Sequence, residues 1–367
     1  MLTRLYIDNF RCFVNFEHRP AKRELILGAN GSGKSSFIEA LLRLRLFVGK
    51  GERAGDLFLP DQRTRWLNQP EQTFELEARV LDCNYAYRLV IGRSLSPLAT
   101  WVASETVHAD GKPIFEFVNG NVHLYTDQHE RKVTYEFDAG RSALATIVEG
   151  NDNHKLSQFK AWVARLYCFK IDPFLMMEPR AARAENEELT PYGDLRNTAP
   201  WYRHLVQDDP QQNAALIDSL RTCLDGFSLL KLEAAGQNIR LLVAEFGKNE
   251  FYFNELSDGQ RCLICLYVIL HFLIARGATV IIDEPDNFIS LREIQPWLTA
   301  VTEAVEEGDG QVLLISHHPE VINQWAPGNG VQFVRDGAGP VRVEKFRGDV
   351  DSCLDPAELI ARGWDRE

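Results

Sequence analysis

Residues 28–36 are the part of the sequence whose residue types and spacing most clearly predict a chemistry. They read Gly28-Ala-Asn-Gly-Ser-Gly-Lys-Ser-Ser36 and match the pattern G-x-x-x-x-G-K-[ST]. Glycines in this pattern let backbone N–H groups turn inward around phosphate oxygens, and the helix that follows adds the positive end of its dipole. We expect Lys34 to reach the β- and γ-phosphates and Ser35 to place its hydroxyl on Mg²⁺. The residues predicted to contact a nucleotide here are Asn30, Gly31, Ser32, Gly33, Lys34, Ser35 and Ser36.

Two adjacent acids, Asp283 and Glu284, form a second candidate site at the end of the apolar stretch 278–282. In an open α/β sheet, ligands bind beyond the carboxyl ends of the strands. We predict that Asp283 holds Mg²⁺ and that Glu284 orients and deprotonates an attacking water. A solvated turn after a strand is the alternative interpretation, and the phosphate-loop pattern in the same chain favours the catalytic one.

The stretch Leu256-Ser-Asp-Gly-Gln260 predicts the start of a helix that can meet an anion. Ser257 is at the N-cap position, and the N–H groups at a helix N-terminus attract phosphate. Because the phosphate loop already surrounds the nucleotide within one subunit, we expect Ser257 and Gly259 to face the γ-phosphate bound by a second subunit. A simple capping role for Ser257 is compatible with this prediction.

His317 follows the apolar strand predicted at 312–315, so it repeats the strand-end position of Asp283. An imidazole at such a position can contact a γ-phosphate and respond to its loss. We therefore predict a catalytic role for His317. A surface histidine is the alternative interpretation, and no role is predicted for the neighbouring His318.

Short elements of alternating type are predicted to position these residues in an α/β fold. A strand at 24–27 precedes the phosphate loop and a helix from 37 to about 48 follows it. Residues 49–72 are predicted as loop, and 73–138 as a mostly antiparallel β section. Further helices are predicted at 142–149, 154–166, 199–207, 210–223, 260–275 and 291–307, with a short one in the tail 350–367. The predicted segments are an N-terminal core part (1–72), the β section (73–140), a helical or irregular insert (141–253) and a C-terminal core part (254–367).

The composition is that of an ordinary globular chain of 367 residues, 45% hydrophobic and 25% charged. A net charge of −12 argues against a global basic surface for nucleic acid, and a local basic patch stays open. The N-terminus reads as a strand, and the apolar run 262–275 is too short to span a bilayer. We therefore expect a cytoplasmic protein without a membrane partner. Seven scattered cysteines indicate reduced thiols, with Cys262 and Cys265 interpreted as small buried hydrophobes rather than metal ligands.

Four motifs occur in an order that resembles the ABC-type ATPase heads of the SMC, RecF and OLD families. They are the phosphate loop, Leu-Ser-Asp-Gly-Gln at 256–260, Ile-Asp-Glu-Pro at 282–285 and Ser-His-His-Pro at 316–319. The resemblance covers residues 1–48 and 254–345. It implies an ABC-type P-loop NTPase head that binds ATP and Mg²⁺ and hydrolyses ATP to ADP and phosphate. It also implies a homodimer closed around two ATP molecules, with a higher oligomer left open.

Further residue roles follow only from this resemblance. It implies a phosphate contact for Arg11 and a metal- and water-sensing glutamine, which is Gln62 or Gln69, with Gln62 predicted as the metal contact. Asp286 and Asn287 stand where the loop that contacts the second subunit follows the catalytic base in that family. Neither glutamine is identified by a local motif.

The middle of the chain is similar to RecF-like and OLD-like ATPases of bacterial defence systems, through the stretches 193–197 and 201–204. The long coiled coil of SMC proteins is missing, and residues 346–367 leave no room for the acidic nuclease domain of OLD proteins. We therefore expect no nuclease, and an output that passes through a separate effector protein in antiphage defence.

Three alternatives stay open at this point. The first is a RecF-like DNA repair clamp, which needs a basic surface. The residues available for such a surface are Arg43, Arg45, Lys50, Arg53, Arg63 and Arg65. The second is the ATPase subunit of a membrane transporter, which the interrupted β section disfavours. The third is a structural protein with a degenerate site, which the intact lysine and acids disfavour.

Overall fold

The computed structural model describes residues 1–95, 98–178, 180–181, 189–236, 239–348 and 354–363. In chain order the strands are β1 (Leu2–Asp8), β2 (Phe16–His18), β3 (Arg23–Leu27), β4 (Gln72–Val80), β5 (Cys83–Leu95), β6 (Leu98–Ala109), β7 (Lys112–Val118), β8 (Asn121–Tyr125), β9 (Arg131–Glu136), β10 (Leu166–Lys170), β11 (Arg180–Ala181), β12 (Phe227–Ala234), β13 (Arg240–Phe246), β14 (Asn249–Tyr252), β15 (Thr279–Asp283), β16 (Gln311–Ile315), β17 (Gly330–Arg335) and β18 (Val341–Lys345). The helices are α1 (Lys34–Lys50), α2 (Ala54–Leu57), α3 (Ala143–Thr146), α4 (His154–Ala164), α5 (Thr198–Asp208), α6 (Pro210–Cys223), α7 (Asp258–Ile269), α8 (Leu291–Glu307), α9 (Pro319–Asn329) and α10 (Pro356–Arg362).

The chain divides into two compact units, neither of which is a continuous stretch of sequence. The first unit consists of Met1–Ala21, Ile26–Tyr167 and Val331–Lys345. The second consists of Lys22–Leu25, Cys168–Gly330 and Phe346–Glu367. Strand β3 therefore begins in the second unit and ends in the first. The four segments expected from the sequence are not tested by this division and stay a prediction.

The first unit is built on an eight-stranded antiparallel sheet of order β2-β1-β4-β5-β6-β7-β8-β9. Strand β4 shows why it belongs there, because Phe74, Leu76 and Ala78 alternate with partly exposed residues and bury one face. Helix α1 buries a stripe of apolar residues that begins at Phe37 and ends at Val48. This sheet confirms the antiparallel β section predicted at 73–138.

The second unit contains the strands that carry the predicted acids and histidine. Strands β10, β15, β16 and β3 are neighbours in that order, and β15 runs parallel to β16. Every residue of β15 and β16 is buried, which is typical of parallel strands covered on both faces. A smaller antiparallel sheet joins β11, β13 and β12, with β14 also paired to β13. The predicted α/β fold class is confirmed.

Several local predictions differ from the structure. The stretch 49–72 contains α2 and a 3₁₀ turn at Pro60–Gln62, and the helix expected at 142–149 is reduced to α3. Helix α9 was not predicted, because Pro327 and Gly328 interrupt its pattern and leave the helical region near its end. The apolar run near 262–275 is α7 followed by a π-helical turn at Leu270–Ile274.

Within the described residues, the helices and the cysteines can be compared with the membrane and cysteine predictions. None of the helices described is both long enough and apolar enough to cross a bilayer. Cys262 and Cys265 are buried, as predicted, and burial raises the pKa of each thiol to about 12. Both cysteines are free thiols. Cys353 lies outside the described residues.

Candidate functional site

The phosphate loop joins β3 to α1 in a conformation that only glycines accommodate at two positions. Gly28 has φ 148° and Gly33 has φ 101°, both in the region that disfavours side chains. A Cβ at Gly28 would lie 2.6 Å from Ser32 Oγ and 2.7 Å from the Phe333 carbonyl oxygen. A Cβ at Gly33 would lie 2.9 Å from Cys12 Sγ. The predicted strand, glycine loop and helix are therefore present, with Gly33 as the N-cap of α1.

The interior of this loop fits a phosphate group. The Lys34 amine donates to the carbonyl oxygens of Gly28 at 2.6 Å and Ala29 at 3.2 Å, so the lysine lies over the loop. Ser32 is 4% exposed, and its hydroxyl has no hydrogen-bond partner among the described residues. A buried polar group without a partner is costly, and a phosphate oxygen would supply one. A Cβ at Gly31 would meet no atom within 4 Å among the described residues, so the backbone there is open to a ligand.

The rim of the loop is contacted by Arg335, which in turn faces Trp66, and the sequence indicated neither residue. Arg335 Nη1 donates to the Gly31 carbonyl oxygen at 2.9 Å, across 304 positions of sequence. Its other nitrogens donate to the carbonyl oxygens of Gly339 at 2.8 Å and Ala338 at 3.0 Å. The Trp66 ring faces this guanidinium, with 5.6 Å from Cζ to the ring centroid. No local pattern could have identified the pair, because β17 and the segment carrying Trp66 meet only in the folded unit.

Arg11, predicted to contact phosphate, is held by α1 in this structure. Its Nε and Nη2 donate to the two carboxylate oxygens of Glu39 at 3.1 and 2.9 Å. This hydrogen bond raises the pKa of Arg11, with the Glu39 charge acting in the same direction. Arg11 also has a left-handed backbone, φ 53°, and its N–H donates to the Gln62 carbonyl oxygen at 2.6 Å. The phosphate contact of Arg11 stays a prediction.

The two candidate sensor glutamines are in different environments. Gln62 is buried, and its side-chain oxygen accepts from the Leu59 N–H at 3.0 Å, which closes the 3₁₀ turn. Gln69 is exposed, and its amide donates to Asp8 Oδ2 at 2.8 Å. The metal role of Gln62 stays a prediction, and binding a metal through its oxygen would require the contact with Leu59 to open.

In the second unit, the two predicted acids stand at the end of β15. Asp283 is 8% exposed, and Lys170 Nζ lies 3.8 Å from its Oδ2. Glu284 has φ 53°, an uncommon conformation for a residue other than glycine and one often kept at functional sites. Its N–H donates to the Ile315 carbonyl oxygen at 2.7 Å, and Asn287 Nδ2 donates to its Oε2 at 2.8 Å. The contact with Asn287 thus orients the carboxylate of Glu284.

The oxygen donors predicted for the metal are chemically suited to Mg²⁺. The ion prefers hard oxygen ligands and is usually held through one or two carboxylates together with substrate phosphates. The Asp283 carboxylate and the Ser35 hydroxyl are donors of this kind. Among the described residues, no group of three or more His, Cys, Asp or Glu side chains is arranged to hold a metal, and the metal roles of Asp283 and Ser35 stay predictions.

The loop after Glu284 is tied to the end of β16. Ser316 Oγ donates to Asp286 Oδ1 at 2.5 Å and accepts from the His318 N–H at 3.0 Å. His318, which had no predicted role, is the N-cap of α9, and its Nδ1 accepts from the Glu320 N–H at 3.2 Å. His317 is exposed beside it.

The helix start at Ser257 packs against the same loop. Ser257 is an exposed N-cap residue, and it forms a reciprocal capping box with Gln260. A Cβ at Gly259 would lie 2.5 Å from the Phe288 carbonyl oxygen, so only glycine allows this approach. The second unit therefore brings together Glu284, the loop after it and the start of α7, with Ser257 left accessible.

Three of the six basic residues considered for DNA binding are engaged within the first unit. Arg43 pairs with Glu39 at 2.5 Å, and Arg45 lies 4.5 Å from the centroid of the Tyr167 ring. Arg63 donates to the Gln69 carbonyl oxygen at 3.0 Å. These contacts do not favour the DNA-clamp alternative, which stays a prediction.

Comparisons with known proteins bear on the family and the fold of this chain. Residues 25–323 match the family described as "AAA domain, putative AbiEii toxin, Type IV TA system". A solved SmcHead bound to the C-winged helix domain of ScpA is similar over 94% of this chain and 98% of its own, with 12% identity and a TM-score of 0.57. An Smc head with an extended coiled coil from Pyrococcus furiosus, bound to the C-terminal domain of ScpA, is similar over 100% and 99%, with 12% identity and a TM-score of 0.55. No curated protein matches the sequence. The predicted fold of an SMC-like ATPase head is confirmed.

Proposed function

The chain belongs to this AAA-domain family, and from that premise we propose that it binds ATP with Mg²⁺ and hydrolyses it to ADP and phosphate. The observation that carries the proposal is the phosphate loop. Its glycines are required by backbone and space, Lys34 lies over its carbonyls, and the Ser32 hydroxyl has no hydrogen-bond partner within the part of the chain that the structure describes. Such a loop binds nucleoside phosphates through backbone N–H groups.

We assign the roles of individual residues as follows. Lys34, Ser36 and the loop from Asn30 to Gly33 bind and orient the phosphates, with Arg11 as an additional contact. Ser35, Asp283 and Gln62 hold Mg²⁺, which would neutralise charge that develops on the transferred phosphoryl group.

Glu284 takes a proton from the attacking water, and Asn287 fixes the direction of its carboxylate. His317 contacts the γ-phosphate, so its contact is lost when that phosphate leaves.

We further propose that ATP closes two copies of the chain, with Ser257 and Gly259 of one copy binding the γ-phosphate held by the other. Three observations support this. Ser257 is exposed at a helix N-terminus, where N–H groups bind anions. The loop after Glu284 packs directly on that helix start. The same loop exposes half of the Phe288 side chain, which contacts the exposed Phe174 ring at 5.7 Å between centroids.

The output is proposed to pass to a separate effector protein, in a bacterial antiphage system. Two similar solved structures are heads bound to a domain of a second protein, ScpA. Contacts made only in the ATP-bound state would then gate the effector by shifting the population of the closed dimer.

The experiment uses Glu284→Gln, which keeps the oxygen that Asn287 contacts and removes the base. We expect hydrolysis to stop and light scattering to show a doubling of mass when ATP and Mg²⁺ are added. The matched control is Lys34→Ala combined with Glu284→Gln, which should keep the same mass with and without ATP.

Two outcomes would contradict parts of the proposal. Unchanged turnover in Glu284→Gln would mean that Glu284 is not the base. Tight ATP binding without a change of mass would mean that the closed dimer is wrong while the nucleotide site stands.

A further inference from the structure

We propose that Trp66 is a stacking platform for the nucleobase of the bound nucleotide. This rests on the proposed function and adds to it the part of the ligand that the phosphate-loop motif does not recognise. The observation is the exposure of a tryptophan beside the rim of the phosphate loop. Its side chain is 41% exposed, although single exposed apolar residues on protein surfaces need no special explanation. What distinguishes Trp66 is how it is held.

The link from Trp66 to the loop runs through one guanidinium. Arg335 donates to the carbonyl oxygens of Gly31, Ala338 and Gly339, so the edge of its plane is fixed by backbone. Its Cζ lies 5.6 Å from the Trp66 ring centroid, within the range of a cation–π contact. The indole is thereby linked to the loop rim through Arg335, while 41% of the residue stays exposed to a ligand.

The segment that carries Trp66 is also anchored. Asn9 Nδ2 donates to the carbonyl oxygens of Gln69 at 3.0 Å and Glu71 at 2.6 Å. At the other end of the segment, Arg11 N–H donates to the Gln62 carbonyl oxygen. Between these anchors, the backbone N–H of Trp66 donates to Thr64 Oγ1 at 3.4 Å. An aromatic side chain presented on an anchored segment loses little conformational freedom when a ligand stacks on it.

The chemistry of this platform predicts its specificity. Every nucleobase has a π-face, so stacking tolerates different bases and is worth about 1–3 kcal/mol per base by alanine substitution. Trp66 should therefore raise the affinity for ligands that carry a base over those that lack one, and should discriminate only weakly between adenine and guanine.

The test measures binding of ADP, GDP and tripolyphosphate, each with Mg²⁺, by titration calorimetry on the full chain. For Trp66→Ala we expect ADP and GDP to bind roughly 5- to 150-fold more weakly and tripolyphosphate to bind as in the original chain. Trp66→Phe, which keeps a stacking face, should recover most of the loss. The matched control is Trp101→Ala, because Trp101 is 36% exposed in the same unit and packs over Gly92. It should bind all three ligands normally.

Each other result overturns a defined part of the argument. Unchanged ADP affinity in Trp66→Ala would show that the indole does not touch the base. Equal losses for ADP and tripolyphosphate would show that Trp66 acts only by holding Arg335 against the loop. If the original chain binds neither ADP nor tripolyphosphate, the proposed function itself fails. A direct check on the unsubstituted chain is quenching of tryptophan fluorescence by ADP, absent with tripolyphosphate and lost in Trp66→Phe.

Discussion

The phosphate loop in the first unit and the end of β15 in the second unit, which are the two halves of the proposal, are built in different ways. Around the phosphate loop, the contacts are made mainly by backbone: carbonyl oxygens hold Lys34 and Arg335, and glycines allow the close approaches. At the end of β15, the contacts are made by side chains, with Asn287 holding Glu284 and Ser316 holding Asp286. A backbone cradle is suited to binding, because it does not depend on ionisation. A set of oriented side chains is suited to proton transfer and to a changing contact.

The largest expected effects are a loss of nucleotide binding when the first half is changed and a loss of turnover when the second half is changed. Lys34→Ala should weaken ATP binding by about 100-fold or more, because the cation over the loop is lost. Glu284→Gln should leave ADP affinity within about 3-fold and lower kcat by about 10²–10⁴. Calorimetry with ADP and phosphate release with ATP would measure the two effects. Equal loss of ADP affinity in both variants would remove the division into a binding half and a chemical half.

The two halves also differ in how far the sequence could predict them. Gly28, Gly33 and the Asp283–Glu284 pair were identified because local patterns determine backbone conformation and mark strand ends. Arg335 was missed because its contact with Gly31 spans 304 positions and depends on the topology of the folded unit.

Other features were missed for related physical reasons. The contact between Trp66 and Arg335 was missed because it joins two segments that are far apart in the sequence. The close approach of Gly259 to Phe288 depends on packing between two elements, which no single stretch reports. Gln62 was proposed as a ligand without a local motif, and the structure shows its oxygen occupied in a 3₁₀ turn. The antiparallel section, which follows from periodicity, was predicted correctly, and so was the fold class, which follows from the motifs and the resemblance that they carry.

The pH dependence of stability distinguishes the first unit through one buried acid, Glu105. Glu105 is fully buried, accepting from Tyr87 Oη at 3.0 Å and Ser142 Oγ at 2.6 Å. Burial raises its pKa from 4.5 to about 7, against the opposing effect of these hydrogen bonds. Between pH 4.5 and 7 the folded chain therefore binds more protons than the unfolded chain. As the pH rises through that window, titration of Glu105 should lower the free energy of unfolding by roughly 1.4 kcal/mol per pH unit.

Glu105→Gln should remove this contribution, because an amide does not titrate. Urea unfolding at pH 5 and pH 8 would then show the variant gaining stability relative to the original chain as the pH rises. Glu136→Gln, at an exposed position on β9, is the matched control and should keep the original pH profile. A pH dependence that survives in Glu105→Gln would mean that other groups are responsible.

A pair of glycine substitutions tests whether the second half tolerates a change that the first half accepts. Both glycines are in helices, Gly259 in α7 and Gly49 in α1. A Cβ at Gly259 meets the Phe288 carbonyl oxygen at 2.5 Å, whereas a Cβ at Gly49 meets nothing within 4 Å. Gly259→Ala should destabilise by about 1–3 kcal/mol through overpacking and displace the loop after Glu284, lowering turnover. Gly49→Ala should be neutral or stabilise by up to about 1 kcal/mol. Similar urea midpoints for the two variants would contradict the tight packing at Gly259.

The smallest expected effect concerns the ion pair that Lys170 forms with Asp283, the proposed metal ligand. Lys170 Nζ lies 3.8 Å from Asp283 Oδ2, but the lysine side chain is 73% exposed. The interaction free energy of an exposed ion pair is about 0–1 kcal/mol, so Lys170→Met should change turnover by less than about 3-fold. Asp283→Asn, by contrast, should abolish Mg²⁺-dependent turnover, because it removes the charge that we propose holds the ion. If Lys170→Met is as damaging as Asp283→Asn, then the lysine belongs to the chemical half, and charge at the end of β15 is balanced by the protein as well as by the metal.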